Sequence, residues 1–144
     1  MAQQSGLLTL VDLAKSSVLA YNEKNYDKMR EPLATNVVYD EVGTGRKIQG
    51  VNDVLAAFRA WSTAIPDSKA TFVNEYVSGN TVVLELVWNG THTGPLQTPN
   101  GQIAPTGKRI NVRACEVFDT VNNQVTAIRH YFDMTTLLKQ IGVV

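Results

Sequence analysis

The sequence has little of what several classes of protein need. Its single cysteine, Cys115, excludes an intramolecular disulfide and a metal site built from several thiolates. Its 13 basic and 13 acidic residues cancel. A chain without net charge has no broad field to attract nucleic acid or an anionic membrane, so we expect neither as a partner.

Long apolar runs, internal repeats and low-complexity segments are also missing. The first residues carry no basic segment before their apolar stretch, and Asp12 and Lys15 interrupt that stretch, so we predict neither a signal peptide nor a membrane span. The single cysteine suits a reducing compartment, and we expect a cytoplasmic protein. The 144 residues, 44% of them hydrophobic, predict one globular domain over 1–144 with a substantial core.

The first half of the chain has helical patterns. Apolar residues from Leu7 to Tyr21 recur at three- and four-residue steps, which predicts an amphipathic helix, and a short helix is expected at 26–29. Val37 to Tyr39 has the composition of a strand. A third helix is predicted to begin after Asn52 as its N-cap and to end at Pro66.

The second half has strand patterns. We predict strands at 70–77, 81–89, 108–118 and 124–132, a long loop over 90–107, and a last helix that begins near Met134. Asp133 fits the N-cap of that helix. Helices followed by antiparallel strands are typical of an α+β fold. We expect a curved antiparallel or mixed sheet with helices packed on its concave face and a pocket between them.

Alternation along the strands indicates which side chains face that pocket. On the last strand, His130 shares a face with Ile128 and Phe132, so it is expected to point inward. Glu116 points inward on the preceding strand by the same argument. Because the two strands form a hairpin, Glu116 and His130 could lie close together, depending on the register.

The same parity gives the rest of the predicted pocket. It has aromatic walls from Tyr39, Trp88 and Trp61, and Glu41 shares the face of Tyr39. His92 continues the parity of Trp88. The candidate polar groups of the pocket are therefore Glu41, Glu116, His130 and His92.

Each candidate also has a structural explanation. His130 could be a general base that Glu116 orients and favours in its charged form, or a buried histidine bonded to backbone or water. Glu116 could instead bond to a helix end. His92 could be a solvated loop residue, and Trp61 could be part of the core. Two distant histidines are weak evidence for a metal site, and none is expected.

Three segments carry a family resemblance: THTG at 91–94, APTGKRINV at 104–112 and RHYFDMTTLLKQIG at 129–142. They resemble SnoaL-like proteins, which include polyketide cyclases and ester cyclases of the nuclear-transport-factor-like superfamily. The resemblance implies a cone-shaped α+β barrel and a homodimer. The outer face of the predicted sheet is apolar enough to permit a dimer, through Val83, Val87, Cys115 and Val117.

The end of the chain, at 131–133, also resembles limonene epoxide hydrolase. That enzyme has an arginine and an aspartate where this chain aligns Leu86 and Trp88. Tyr39 matches its water-holding tyrosine, but Glu41 replaces its asparagine. Because the catalytic triad is not retained, we do not expect epoxide hydrolysis by that mechanism.

This chain also differs from the cyclases at the positions of their essential acid and pocket histidine. In both families an essential aspartate falls at the position of His130, and the cyclases have a pocket histidine at the position of Glu116. The acid and the imidazole are thus exchanged between two neighbouring strands, which could preserve a proton-transfer pair or be a coincidence.

The resemblance implies an enzyme that works by acid–base chemistry without a cofactor. His130 would take a proton from the carbon next to a carbonyl in a small apolar substrate, Glu116 would orient His130, and Tyr39 or Glu41 would bind the substrate oxygen. The alternative is a non-catalytic module of the same fold that binds a small hydrophobic ligand or serves for dimerisation. A purely structural domain is a third interpretation.

Overall fold

The computed structural model describes residues 9–144, so Leu7 of the predicted helix lies outside the described residues. Helix α1 (Leu10–Asn22) begins at Thr9, whose hydroxyl accepts a hydrogen bond from the Asp12 backbone N–H at 3.0 Å. The Asp12 carboxylate in turn accepts the Thr9 N–H, which completes a capping box. Helix α2 (Tyr26–Arg30) follows after a short turn. The structure thus confirms the two helices that the sequence predicts here.

Helix α3 spans Val51–Ala64 and begins differently from the prediction. Its N-cap is Gly50, not Asn52, and no side chain caps it. Gly50 has φ +98°, a conformation that favours glycine, and the Asn52 amide oxygen instead accepts a hydrogen bond from Arg30 at 2.8 Å. The helix ends just before Pro66, as predicted.

The described residues form eight strands in two sheets. Six form one curved sheet in the order β2-β1-β8-β7-β4-β3, in which β1 and β8 are parallel and all other neighbours are antiparallel. The other two form a small hairpin. The strands are β1 (Leu33–Glu41), β2 (Arg46–Gln49), β3 (Lys69–Ser78), β4 (Thr81–Thr91), β5 (Leu96–Thr98), β6 (Gly101–Ile103), β7 (Arg109–Val121) and β8 (Gln124–Phe132). Helix α4 (Met134–Gln140) has Asp133 as its N-cap.

Three of these strands were not predicted, for two physical reasons. β2 pairs on one side only, so most of its side chains are exposed and it lacks the alternation of a half-buried strand. β5 and β6 have three residues each, too few to show a period, and they lie within the predicted loop 90–107.

The inner face of the sheet is the one that alternation predicted. Leu84, Leu86, Ala114 and Ile128 are buried there, under α1 and α3. The mixed α+β architecture with helices over one face of a curved sheet confirms the predicted fold class. Within residues 9–144, no helix is long and apolar enough to cross a membrane.

Candidate functional site

A cavity of about 50 Å³ lies between the helices and the inner face of the sheet. Six aromatic side chains supply most of its wall: Tyr21, Tyr39, Phe58, Trp61, Trp88 and Phe132. Four aliphatic side chains complete the apolar part: Ile65, Ile110, Val112 and Leu137. Its remaining wall is polar and comes from Ser68 and His130. The structure thus brings four predicted site residues, Tyr39, Trp61, Trp88 and His130, to one cavity.

His130 on β8 has a defined tautomer because of its two neighbours. The indole N–H of Trp88 donates to His130 Nε2 at 3.1 Å. Since an indole nitrogen can only donate, Nε2 carries the lone pair and the neutral ring has its proton on Nδ1. That proton is directed to the Tyr39 hydroxyl oxygen, which lies 2.7 Å from Nδ1. The basic lone pair therefore lies on the nitrogen that faces Trp88.

The Tyr39 hydroxyl links His130 to a carboxylate by hydrogen bonds. Having accepted from His130 Nδ1, the hydroxyl donates to Glu41 Oε2 at 3.0 Å. β1 and β8 are parallel neighbours with Glu41 paired to His130, so the three side chains come from two adjacent strands. The result is a continuous chain of hydrogen bonds from imidazole to phenol to carboxylate.

Glu41 is held as an anion by donors on both of its oxygens. The Thr44 hydroxyl and Arg46 Nε donate to Oε1 at 2.5 and 2.6 Å, and Trp61 Nε1 donates to Oε2 at 2.8 Å. Burial opposes ionisation, but these donors together outweigh it and lower the pKa of Glu41. The Glu41 side chain is fully buried, so the charge is neutralised by Arg46 rather than by solvent.

The pKa of His130 is lowered to about 4, mainly because the ring is buried, with the Glu41 charge acting in the opposite direction. His130 is therefore neutral near pH 7. A charge-neutral imidazole with a fixed lone pair can accept a proton, and the Glu41 anion behind Tyr39 would stabilise the imidazolium that results.

Glu116 differs from the expectation in its role. The predicted proximity is confirmed, since β7 and β8 pair Glu116 with His130. However, Glu116 Oε2 lies 3.6 Å from His130 Nδ1, too far for a hydrogen bond, and Oε1 has no partner within residues 9–144. Burial raises the pKa of Glu116 to about 8. Glu116 is thus a neutral acid near pH 7, it does not favour the imidazolium, and the ring is oriented by Tyr39 and Trp88 instead.

The other predicted pocket residues are placed elsewhere. The Glu41 carboxylate has donors on both oxygens and does not line the cavity. His92 is neither solvated nor part of the cavity wall. The chain folds back over it, so that the Thr106 N–H donates to His92 Nδ1 at 3.2 Å and the side chain is fully buried.

Several residues of the site were missed from the sequence. Tyr21 and Phe58 occupy apolar stripes of α1 and α3, where an aromatic residue normally indicates core. Ser68 had no distinguishing pattern. Arg46 lies on the edge strand β2, and finding it would have required knowing that β2 pairs beside Glu41. Within residues 9–144, no three His, Cys, Asp or Glu side chains converge to form a possible metal site.

Helices that cover a curved sheet around a buried histidine define an α+β protein of the nuclear-transport-factor-like cone fold. The sequence model of the SnoaL-like polyketide cyclase family matches residues 11–141. The chain therefore belongs to the SnoaL-like polyketide cyclase family. A search of curated protein sequences gives no match.

Solved structures share the fold at low sequence identity. A Jannaschia sp. CCS1 protein, provisionally assigned as a SnoaL-like polyketide cyclase, is 17% identical with a TM-score of 0.84, over 94% of this chain and 92% of its own. IdmH from Streptomyces antibioticus, provisionally assigned as a polyketide cyclase, is 21% identical with a TM-score of 0.79, over 94% and 100%. An LEH-like epoxide hydrolase from M. tuberculosis is 18% identical with a TM-score of 0.70, over 92% and 88%. At these identities the likeness shows the fold alone.

Proposed function

We propose that the protein is a cofactor-independent acid–base catalyst of the cyclase type, acting on a small apolar carbonyl compound. The observation that carries this proposal is the neutral His130, whose lone pair on Nε2 borders an apolar cavity and whose other nitrogen is backed by Tyr39 and the Glu41 anion. Family membership supports the reaction class.

The proposed step is a proton transfer from carbon. His130 Nε2 takes a proton from the carbon next to the substrate carbonyl, and the C–H electron pair moves to form an enolate. The proton rests on Nε2, while Nδ1–H stays bonded to Tyr39 and the new positive charge faces Glu41. The enolate carbon can then attack an electrophilic carbon of the same molecule, or take the proton back at another position.

Trp88 has a defined part in this step. Its N–H donates to the lone pair of His130 Nε2, so a substrate has to displace it. The displaced N–H can then donate to the substrate oxygen and stabilise the charge that develops there. Trp88 therefore replaces Tyr39 and Glu41 as the proposed donor to the substrate oxygen, because the Tyr39 hydroxyl already donates to Glu41 and the Glu41 carboxylate can only accept.

The size of the cavity limits the substrate. About 50 Å³ holds only roughly three water molecules, whereas sites for larger ligands usually offer several hundred Å³. A substrate of ring size thus requires side-chain movement. Trp61, Trp88 and Phe132 are half-buried, unlike the fully buried Tyr39, and are the wall residues best able to move.

The test is exchange of α-protons of a small ketone, such as cyclohexanone, in deuterated buffer, followed by ¹H NMR. His130→Gln is expected to lower the enzyme-catalysed rate by roughly 100-fold or more, as is usual when a general base is removed. His92→Gln is the matched control, because His92 is buried but outside the cavity and should leave the rate unchanged. An unchanged rate in His130→Gln would refute the proposal.

A second candidate function is non-catalytic binding of a small hydrophobic ligand. The Trp88 N–H on Nε2 and the low pKa of His130 favour it, since both weaken His130 as a base. This candidate predicts that cyclohexanone changes the fluorescence of Trp61 and Trp88 but that its α-protons never exchange above the buffer rate.

We also propose a homodimer through the outer face of the sheet. Val83 on β4 and Val117 on β7 are directly paired there, and neighbouring Val87 and Cys115 are likewise only half-buried. Light scattering after gel filtration should give about twice the chain mass of 15.8 kDa. Val117→Glu should give monomers, and a monomeric wild type would refute the dimer.

A further inference from the structure

A second polar group lies in the cavity wall, away from the hydrogen-bond chain of His130. The hydroxyl oxygens of Tyr21, on α1, and Ser68, which precedes β3, are 2.5 Å apart. Both residues line the cavity, and they are only 2% and 5% exposed. They are buried hydroxyls that the proposed proton transfer does not use.

The hydrogen count of this pair leaves a donor free. Two hydroxyls have two hydrogens, and one of them forms the bond between the oxygens. Among residues 9–144, neither hydroxyl has another side-chain or backbone partner to accept the second hydrogen. Because the protein offers this buried donor no acceptor, the position suits an oxygen atom of a ligand.

The pair is held in place by its surroundings. The Lys24 ammonium donates to the Ser68 backbone carbonyl at 2.5 Å and lies 4.4 Å from the centroid of the Tyr21 ring. Asn22 forms two hydrogen bonds with the backbone of Ala70, at 2.8 and 3.0 Å, which join the end of α1 to the start of β3. A donor fixed from both elements is suited to select a ligand.

Trp88 is a neighbour of both this pair and His130. Its ring centroid is 5.4 Å from that of Tyr21 and 6.0 Å from that of His130. A ligand that replaces the Trp88 N–H at His130 therefore extends along the same wall toward Tyr21. The two polar groups sit at neighbouring positions of a cavity whose wall is otherwise apolar apart from the indole N–H.

We propose that the Tyr21–Ser68 hydroxyl pair is a second oxygen-binding subsite, so that the substrate carries two oxygen functions, one at the Trp88 N–H beside His130 and one at this pair. The assignment of the first oxygen rests on the proposed function. The second oxygen is a carbonyl or ether oxygen, because it has to accept a hydrogen bond. The ligand class is a small cyclic diketone or keto-ether rather than a monoketone.

The test compares cyclohexane-1,4-dione with cyclohexanone by tryptophan fluorescence titration. Wild-type protein should bind the dione roughly five- to tenfold more tightly, the effect of one added hydrogen bond. The double variant Tyr21→Phe/Ser68→Ala should reduce this preference to near unity, because each single variant still leaves one hydroxyl hydrogen free to donate. Tyr26→Phe is the matched control, because Tyr26 forms a similar 2.6 Å pair with Ser62 outside the cavity.

Two results would overturn the subsite: no preference for the dione in wild-type protein, or a preference that the double variant Tyr21→Phe/Ser68→Ala retains. The readout is separate from catalysis. A dione preference without any proton exchange would refute the proposed function but support the subsite. If the α-protons of both ketones exchange and the two ketones bind with equal affinity, the proposed function is supported and the subsite is refuted.

Discussion

Replacing Glu116 by Gln should remove a pH dependence of stability that the buried acid creates. In the folded protein the pKa of Glu116 is raised to about 8, from an ordinary value of 4.5. The native state therefore keeps a proton that the unfolded chain releases, and the free energy of unfolding falls as pH rises from 4.5 to 8. Gln is neutral at every pH and has nearly the same shape.

The size of the effect follows from the pKa. Each pH unit in this window costs about 1.4 kcal/mol, so wild-type protein should lose about 2 kcal/mol between pH 6.5 and 8. His130 acts below that range: its folded pKa of about 4 lies under its ordinary 6.5, so its contribution is lost as pH falls below 6.5. The interval from 6.5 to 8 thus isolates Glu116 from His130.

The assay is urea unfolding at pH 6.5, 7.2 and 8 for wild-type protein and Glu116→Gln. We expect the wild-type free energy of unfolding to fall and that of Glu116→Gln to stay level. Glu85→Gln is the control, since Glu85 lies on the same sheet but on its opposite face and should keep the wild-type slope. A level wild-type profile, or an unchanged slope in Glu116→Gln, would refute the assignment of Glu116 as a neutral acid.

Two further predictions concern the stability of the folded protein. Arg46→Met removes the guanidinium from the buried Glu41 and should lower the free energy of unfolding by about 2–3 kcal/mol. Arg129→Met removes a part-exposed ion pair and should lower it by less than about 1 kcal/mol. Equal losses in urea unfolding would contradict this difference. Gly94→Ala should cost more than about 2 kcal/mol, because a Cβ there would overlap the Thr63 carbonyl, and a wild-type thermal midpoint would disprove that.

The sequence predicted the inner face of the sheet because strand alternation has a period of two and one face is buried. It also predicted that Glu116 and His130 could lie close together, depending on the register. Their register depends on the two-residue turn at Asn122 and Asn123, both with positive φ, and on a register shift between Asp119 and Thr120, without which Glu116 would pair with Arg129.

The chemistry of the site could not be predicted in the same way. The tautomer and the charge of His130 depend on Tyr39 and Trp88, which come from two other strands. They also depend on the donors to Glu41, one of which is Arg46 on the unpredicted edge strand β2. Local patterns report which face a side chain occupies, but not which atoms meet. For that reason the sequence predicts Glu116 as the carboxylate that orients the histidine, whereas the structure places Glu41 behind the histidine through Tyr39.

The most direct test of the central claim is ¹⁵N NMR of the His130 imidazole as a function of pH. The account predicts a neutral ring at pH 7 with its proton on Nδ1, titrating near pH 4. His92 is the only other histidine in the sequence, so His92→Gln assigns the signals. A charged His130 at pH 7, or a proton on Nε2, would contradict the account, because either would leave no lone pair on Nε2 to accept a proton.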